Sequence, residues 1–277
     1  MNGSSIPALY RGHPLYLWVE DTTTQAYLDG AWGDGRIGFH IGGGAANIHA
    51  VCEDAWRTGS AHVFGLRDRD FGPTNLHRWA AFRQSDRVYV LDALEIENHL
   101  LDADALAGVP VNTARRSAAD IEARMHAIAG GLVPWMATRA VISSLQVNAT
   151  RDFPSHPKRS AVSTLADGEA YLLGNPWVTT TAPGTPALVA HADIRQRLGD
   201  AEKTYSAHLT QGSWRQHFAG KEIYEEVSGF VWNQNRMPSA HADLAKMVGE
   251  QQRVVGQVPV EISALRAALL ARIGQQP

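Results

Sequence analysis

The amino-acid sequence predicts an α/β protein. We expect a mostly parallel four-stranded sheet with helices on both faces, followed by a largely helical C-terminal elaboration. Three observations predict this. Short apolar runs rich in β-branched and aromatic residues recur through the first hundred residues. The stretches between them are long enough, and helical enough in their periodicity, to serve as crossover connections between parallel strands. Beyond residue 98 the strand signal stops and only helical periodicity remains.

Taken in order, LYLWV (15–19) reads as a buried strand, and TTTQAYLDGAW (22–32) as the helix that follows it. RIGFHI (36–41) is a second strand. GGGAANIHAVCEDAWRTG (42–59) opens on three glycines and turns helical, with Ile48, Val51, Cys52 and Ala55 at helical spacing and Gly59 as its stop. AHVFGLRD (61–68) is the third strand and RVYVL (87–91) the fourth. In the second part, Ile121, Met125 and Ile128 share a helical face, as do Ile262, Leu265, Leu269 and Ile273. These patterns divide the chain into a core over 1–100 and a helical elaboration over 101–277, which returns to the core near 217–227.

Composition narrows the classes. A chain of 277 residues is long enough to bury a large core. At 44% apolar and 19% charged it is a globular composition, and its net charge of −3 offers a polyanion no global attraction. Binding to nucleic acid would therefore need a local basic patch or a bound cation. The single cysteine, Cys52, excludes an intramolecular disulfide and a cysteine zinc cluster, which fits a reducing cytoplasm. No signal peptide and no span of about 20 apolar residues is apparent, so no membrane partner is expected.

The acids are placed unevenly. In an open parallel sheet, ligands gather outside the carboxyl ends of the strands. Glu20 and Asp21 follow the first strand, Asp68 and Asp70 the third, and Asp92, Glu95 and Glu97 the fourth. Acids at three of four strand ends form the donor set that hard, oxygen-seeking cations require. If the third strand stayed extended through residue 70, Asp68 and Asp70 would share a face and Arg69 would point away.

The segments LWVED, IGGGAANI, VFGLRDRDF, LEIENHLL and FAGKEIYEEV, in this order and spacing, resemble the DUF4435 group of TOPRIM proteins. TOPRIM is the metal-binding domain of topoisomerases, bacterial primases and OLD-type nucleases. The likeness covers residues 15–101 and returns at 217–227. It implies a Mg²⁺- or Mn²⁺-dependent nuclease that cleaves DNA or RNA, of the kind that serves as a cytoplasmic effector in phage defence beside an ABC- or AAA-type ATPase encoded nearby. It makes Glu20 the first acid, Asp68 and Asp70 the paired metal-binding acids, and Glu97 a further ligand with Asn98 beside it. It also makes Lys221 a catalytic lysine. OLD-type nucleases often carry an aspartate four residues after the first glutamate. Here that residue is Thr24, with Asp21 as the neighbouring acid, which leaves open whether there are one or two metals.

The implied chemistry is phosphodiester transfer. A divalent ion polarises a phosphoryl oxygen and activates water, and Lys221 would meet charge growing in the transition state. Structural readings stand beside these. Glu20 could merely serve the dipole of the following helix. Gly42, Gly43 and Gly44 could cradle a nucleotide phosphate, or form a turn that lets the backbone approach metal or DNA. Arg151, Lys158 and Arg159 could be a solvated loop or a phosphate-contacting patch. Trp214 and Trp232 read as core aromatics, and the histidines as structural or surface residues. Two rival functions remain: a catalytically weak TOPRIM module regulated with an ATPase, and a small nucleotide-binding enzyme built on the glycine turn. Self-association is left open.

Overall fold

The computed structural model describes residues 9–71, 87–146, 156–175, 191–232 and 240–273. Arg151 therefore lies outside the described residues, as does most of the Thr/Pro/Gly stretch 175–188. The chain divides into two compact units, Met1–Glu122 with Gly220–Pro277, and Ala123–Ala219. The division falls at residues 122 and 220 rather than at 100. The C-terminal helices belong to the unit that carries the sheet, because their apolar faces are buried within it.

That unit contains a four-stranded, all-parallel sheet in the order β2-β1-β3-β4: β1 Leu15–Val19, β2 Ile37–Ile41, β3 Val63–Arg67 and β4 Val88–Val90. The first crossover helix, α1 (Thr22–Trp32), lies on one face of the sheet. Its Trp32 stacks on Phe39 of β2, which pairs with Leu17 of β1. The second, α2 (Ala45–Arg57), lies on the other. Its Ile48 and Cys52 form one cluster with Tyr16, and Trp18 packs against it. A Cβ on Gly65, the β3 residue opposite Trp18, would stand 2.3 Å from Ile48 Cγ2, so α2 is seated directly on bare backbone.

After β4 the chain makes a 3-10 helix, Ile96–Leu100, a short helix α3 (Ala103–Gly108), and the start of α4 (Ala118–Gln146). The unit is completed by α8 (Gly220–Val231), α9 (Ala240–Val255) and α10 (Val260–Ala271). Ile262, Leu265 and Leu269 of α10 are fully buried, as the spacing requires, whereas Ile273 lies past the end of the helix. Helices α1 and α9 touch backbone to backbone. A Cβ on Gly30 would lie 2.2 Å from the Lys246 carbonyl oxygen, and one on Gly249 2.6 Å from that of Tyr27. Gly249→Ala is expected to force these helices apart and cost about 1–3 kcal/mol, the usual range for overpacking. Thermal unfolding checks this, and an unchanged midpoint would contradict the close packing.

The second unit is helical. It holds most of α4, a 3-10 turn Arg159–Ala161, α5 (Leu165–Leu173), α6 (His191–Thr210) and α7 (Trp214–His217). Helix α4 continues past residue 132 through Pro134 to Gln146. Thr138 Oγ1 donates to the Pro134 carbonyl at 2.8 Å, and α5 sits against Thr138 at Gly168, where a Cβ would find Oγ1 at 2.3 Å. Trp214 and Phe218 are in the core. Among the described helices, α4 is long and apolar enough to cross a bilayer by length and composition, and 61% of its most apolar window is buried in the protein. The bent pair α9 and α10 passes the same test only if taken as one broken span.

Candidate metal centre at the carboxyl edge of the sheet

All four strands are parallel, so β1, β3 and β4 end on one edge. Glu20 follows β1 directly, and its Oε1 accepts the Asp68 amide across that edge at 3.2 Å. The residue that caps α1 is Asp21, whose Oδ1 accepts both the amide and the hydroxyl of Thr24 at 2.8 Å. The cap of α1 is thus Asp21 and not Glu20. This also gives Thr24 a structural reason: buried within the first turn, it completes the cap in place of a second acid.

Asp68 stands just past β3, and its Oδ1 accepts the Ile96 amide at 3.0 Å, joining the end of β3 to the segment after β4. The strand alternation expected over 68–70 does not hold. β3 ends at Arg67, and Asp70 adopts a left-handed conformation with φ of 52°. The turn buries Arg69, whose Nε donates to the Asp92 carbonyl at 2.9 Å, and leaves Asp70 exposed with its amide bonded to Leu94 O. Arg69 thus fastens the start of the segment after β4. Asp70 still lies close enough for its charge to act on both Glu20 and Asp68.

The segment after β4 supplies two more acids. Glu95 is the N-cap of the 3-10 helix in a reciprocal capping box with Asn98, whose Oδ1 accepts the Glu95 amide at 2.7 Å. Glu95 Oε2 accepts the Lys221 amide at 2.8 Å, which ties the start of α8 to this loop. Gly220 is required there, since a Cβ would meet the Asn98 amide nitrogen at 2.5 Å. Glu97 is only 4% exposed.

Burial in company with like charges shifts these groups. Asp68 is pushed well above the usual carboxylate range by burial and then by the charges of Glu97, Glu20, Glu95 and Asp70. Glu97 is pushed up to about 8 by burial, Glu95 and Asp21, against the smaller pull of Lys221. Glu20 is raised by burial and by Asp70 and Asp21, opposed by the Asp68 amide and Arg67. Burial draws the Lys221 ammonium down, but Glu97, Asp21, Glu225 and Glu95 together hold it above its ordinary value. A lysine in the first turn of a helix opposes the helix dipole, and here these carboxylates offset that cost.

Glu20, Asp68, Asp70, Glu95 and Glu97 therefore share one neighbourhood, with Lys221 beside Glu95 and Glu97. Among the described residues, no group of three acids, histidines or cysteines is drawn together as tightly as a metal coordination shell. Two of the candidate ligands, Glu20 and Asp68, each give one oxygen to a backbone amide.

In the glycine turn, two of the three amides are engaged within the protein. The amides of Gly42 and Gly43 are bonded to the carbonyls of Val19 and Glu20, at 2.8 and 3.1 Å. A Cβ on Gly42 would strike Ile48 Cγ1 at 2.8 Å, and Gly43 has φ of 79°. Only Gly44, the N-cap of α2, faces open space. These glycines let the chain fold back over the end of β1 and so fix the backbone at Glu20. Lys158 is exposed, and Arg159 half-buried in the 3-10 turn it begins.

Sequence reasoning passed over Glu261. This α10 residue accepts the amides of Asp92 and Ala93 and pairs with His99 Nε2 at 2.9 Å. Burial raises it, but His99 and the two amides outweigh burial and hold it below the usual glutamate range. Its place at the start of a helix is unremarkable in sequence, and nothing there connects it to a segment 169 residues away. Compared with known proteins, the chain matches no family model and no curated protein.

Proposed function

We propose that the chain is a metal-dependent nuclease of TOPRIM type, using Mg²⁺ or Mn²⁺ to cleave phosphodiester bonds of DNA or RNA, and that it serves in defence against phage. The observation that carries this reading is the set of acids brought together at the carboxyl edge of the sheet. Burial, and then the neighbouring acids, push the Asp68 and Glu97 carboxyls above their ordinary range, and a divalent cation would relieve that repulsion. When bound, such an ion polarises a phosphoryl oxygen and lowers the pKa of water. Glu20, Asp68, Asp70 and Glu97 would hold it, all through hard oxygens. Lys221, kept charged beside Glu97, would stabilise negative charge on the phosphoryl group as it grows.

The test is metal-dependent nicking of plasmid DNA, and cleavage of single-stranded RNA, by the purified chain with Mg²⁺ or Mn²⁺, alone and with an ATPase encoded beside it. Cleavage that requires the metal supports the reading, and none under any of these conditions removes it. A second reading, a catalytically weak module regulated by an ATPase, is favoured by Thr24 and by the absence of a closed ligand triad among the described residues. It predicts metal binding and ATPase association without cleavage.

Proton linkage gives an independent check. In the metal-free chain Glu97 binds its proton up to about pH 8, whereas in the unfolded chain it is ionised above the ordinary glutamate value. The folded state therefore holds more protons between these limits. Its contribution to stability is full below about pH 4.5 and is lost as pH rises through about 8. Glu97→Gln should flatten that part of the profile. Mg²⁺ binding at neutral pH should release protons and tighten toward pH 8. Titration calorimetry in buffers of different ionisation enthalpy measures the release, and a pH-independent affinity would contradict the assignment.

A further inference from the structure

We infer that Glu261 is a positioning residue of this site, clamping both ends of the acid-bearing segment that follows β4; the inference rests on the metal-dependent reading above. One carboxylate, 12% exposed, accepts the amides of Asp92 and Ala93 where the segment begins and pairs with His99 where it ends. Between these points lie Glu95 and Glu97. The opposite side of the segment is tied by Arg69 to the Asp92 carbonyl, by the Asp70 amide to Leu94 O, and by Asp68 to the Ile96 amide. The contacts from residues 68–70 come from the metal-binding turn itself. Glu261 instead brings an anchor from an unrelated helix.

The His99 end is fastened a second time. Gln252 of α9 donates to the His99 carbonyl and to Asp102 Oδ2, both at 3.1 Å, and its Oε1 accepts the Tyr27 hydroxyl of α1 at 2.9 Å. The C-terminal helices thus form the seat in which Glu97 is held against the repulsion of its neighbours. Without the clamp, the segment loses the anchor that α10 supplies at both its ends, and Glu97 is held less firmly against the repulsion of its neighbours.

Three variants test this: Glu261→Ala, Glu261→Gln, which keeps an oxygen for the two amides, and Arg266→Ala. Arg266 lies on the same helix and bridges to Asp34 at 2.7 Å, away from the 92–99 segment. Mn²⁺ affinity is measured by calorimetry, and amide hydrogen exchange is followed in peptides covering 91–99. Glu261→Ala is expected to weaken Mn²⁺ binding roughly 10–100-fold, the usual effect of losing an outer-shell partner, and to speed exchange in 91–99. Glu261→Gln should recover part of both, and Arg266→Ala should change neither even where it lowers the melting temperature. Should Glu261→Ala fail to fold, Glu261→Gln against Arg266→Ala decides. Equal Mn²⁺ affinity and equal exchange in the Glu261 variants and wild type would overturn the inference. If the wild-type chain binds no Mn²⁺, the metal-dependent reading fails. Exchange in 91–99 then decides the clamp alone: faster in the Glu261 variants upholds it, unchanged rejects it.

Discussion

Asp68→Asn is expected to abolish metal-dependent cleavage while making the metal-free protein more stable. Asn retains the Oδ1 that accepts the Ile96 amide, so the link between β3 and the 3-10 segment survives. It removes the carboxyl that burial and four neighbouring acids push well above its usual range. Ionisation in the unfolded chain and not in the folded one costs about 1.4 kcal/mol per unit of pKa difference. The gain in stability should therefore grow from acid toward neutral pH and vanish once the carboxyl is protonated in both states. Loss of an electrostatic group at the reacting centre lowers turnover roughly 10²–10³-fold, and the Mg²⁺-induced rise in melting temperature should disappear with it. Thermal unfolding with and without Mg²⁺, beside a plasmid-nicking assay, reads all three. A variant that is destabilised yet still shifted by Mg²⁺ would make Asp68 a structural acid.

Lys221→Ala is expected to separate binding from catalysis. The main-chain bond from the Lys221 amide to Glu95 does not depend on the side chain, so the start of α8 should hold. What is lost is a positive charge beside Glu97 and Glu95. A contact that strengthens only in the transition state affects kcat and leaves substrate affinity nearly unchanged. Turnover should fall about 10²–10³-fold, with Mn²⁺ and nucleic-acid affinity within a few-fold of wild type. Lys221→Arg should restore only part, because a planar fork replaces a point charge. Full turnover in Lys221→Ala would return this residue to the surface of its helix.

How much of this was legible in the sequence differs by element. The four strands and both crossover helices were readable because their signals are local. Short apolar runs, helical spacing at Ile48, Cys52 and Ala55, and glycine stops are each carried by neighbours in the chain. Parallel pairing followed from the length of the crossovers. The convergence of Glu20 with Asp68 was also legible, since acids just past adjacent parallel strands share an edge.

The turn after β3 was not. Asp70 leaves the extended conformation because Arg69 is drawn under the β4 segment to the Asp92 carbonyl, and that partner is not local. The glycine triplet was legible as a turn but not in its role. Whether its amides face a ligand or the carbonyls of Val19 and Glu20 depends on where β1 ends beside it. Which of Glu20 and Asp21 caps the following helix was likewise decided by geometry, and Asp21 takes the cap.

The sequence by itself determined the sheet, its direction and which acids stand at its carboxyl edge, because strand direction and side-chain period are set by local spacing. Only the tertiary structure decided which acids carry strain and what holds them in place. A carboxylate's ionisation depends on burial and on charges brought from distant segments. Glu97 is raised by burial and then by Glu95 and Asp21, and opposed by Lys221, more than a hundred residues on. Glu261 reaches the same segment from the last described helix. Such long-range contacts leave no period or spacing in the sequence, and they are what gathers a row of strand-end acids into one neighbourhood.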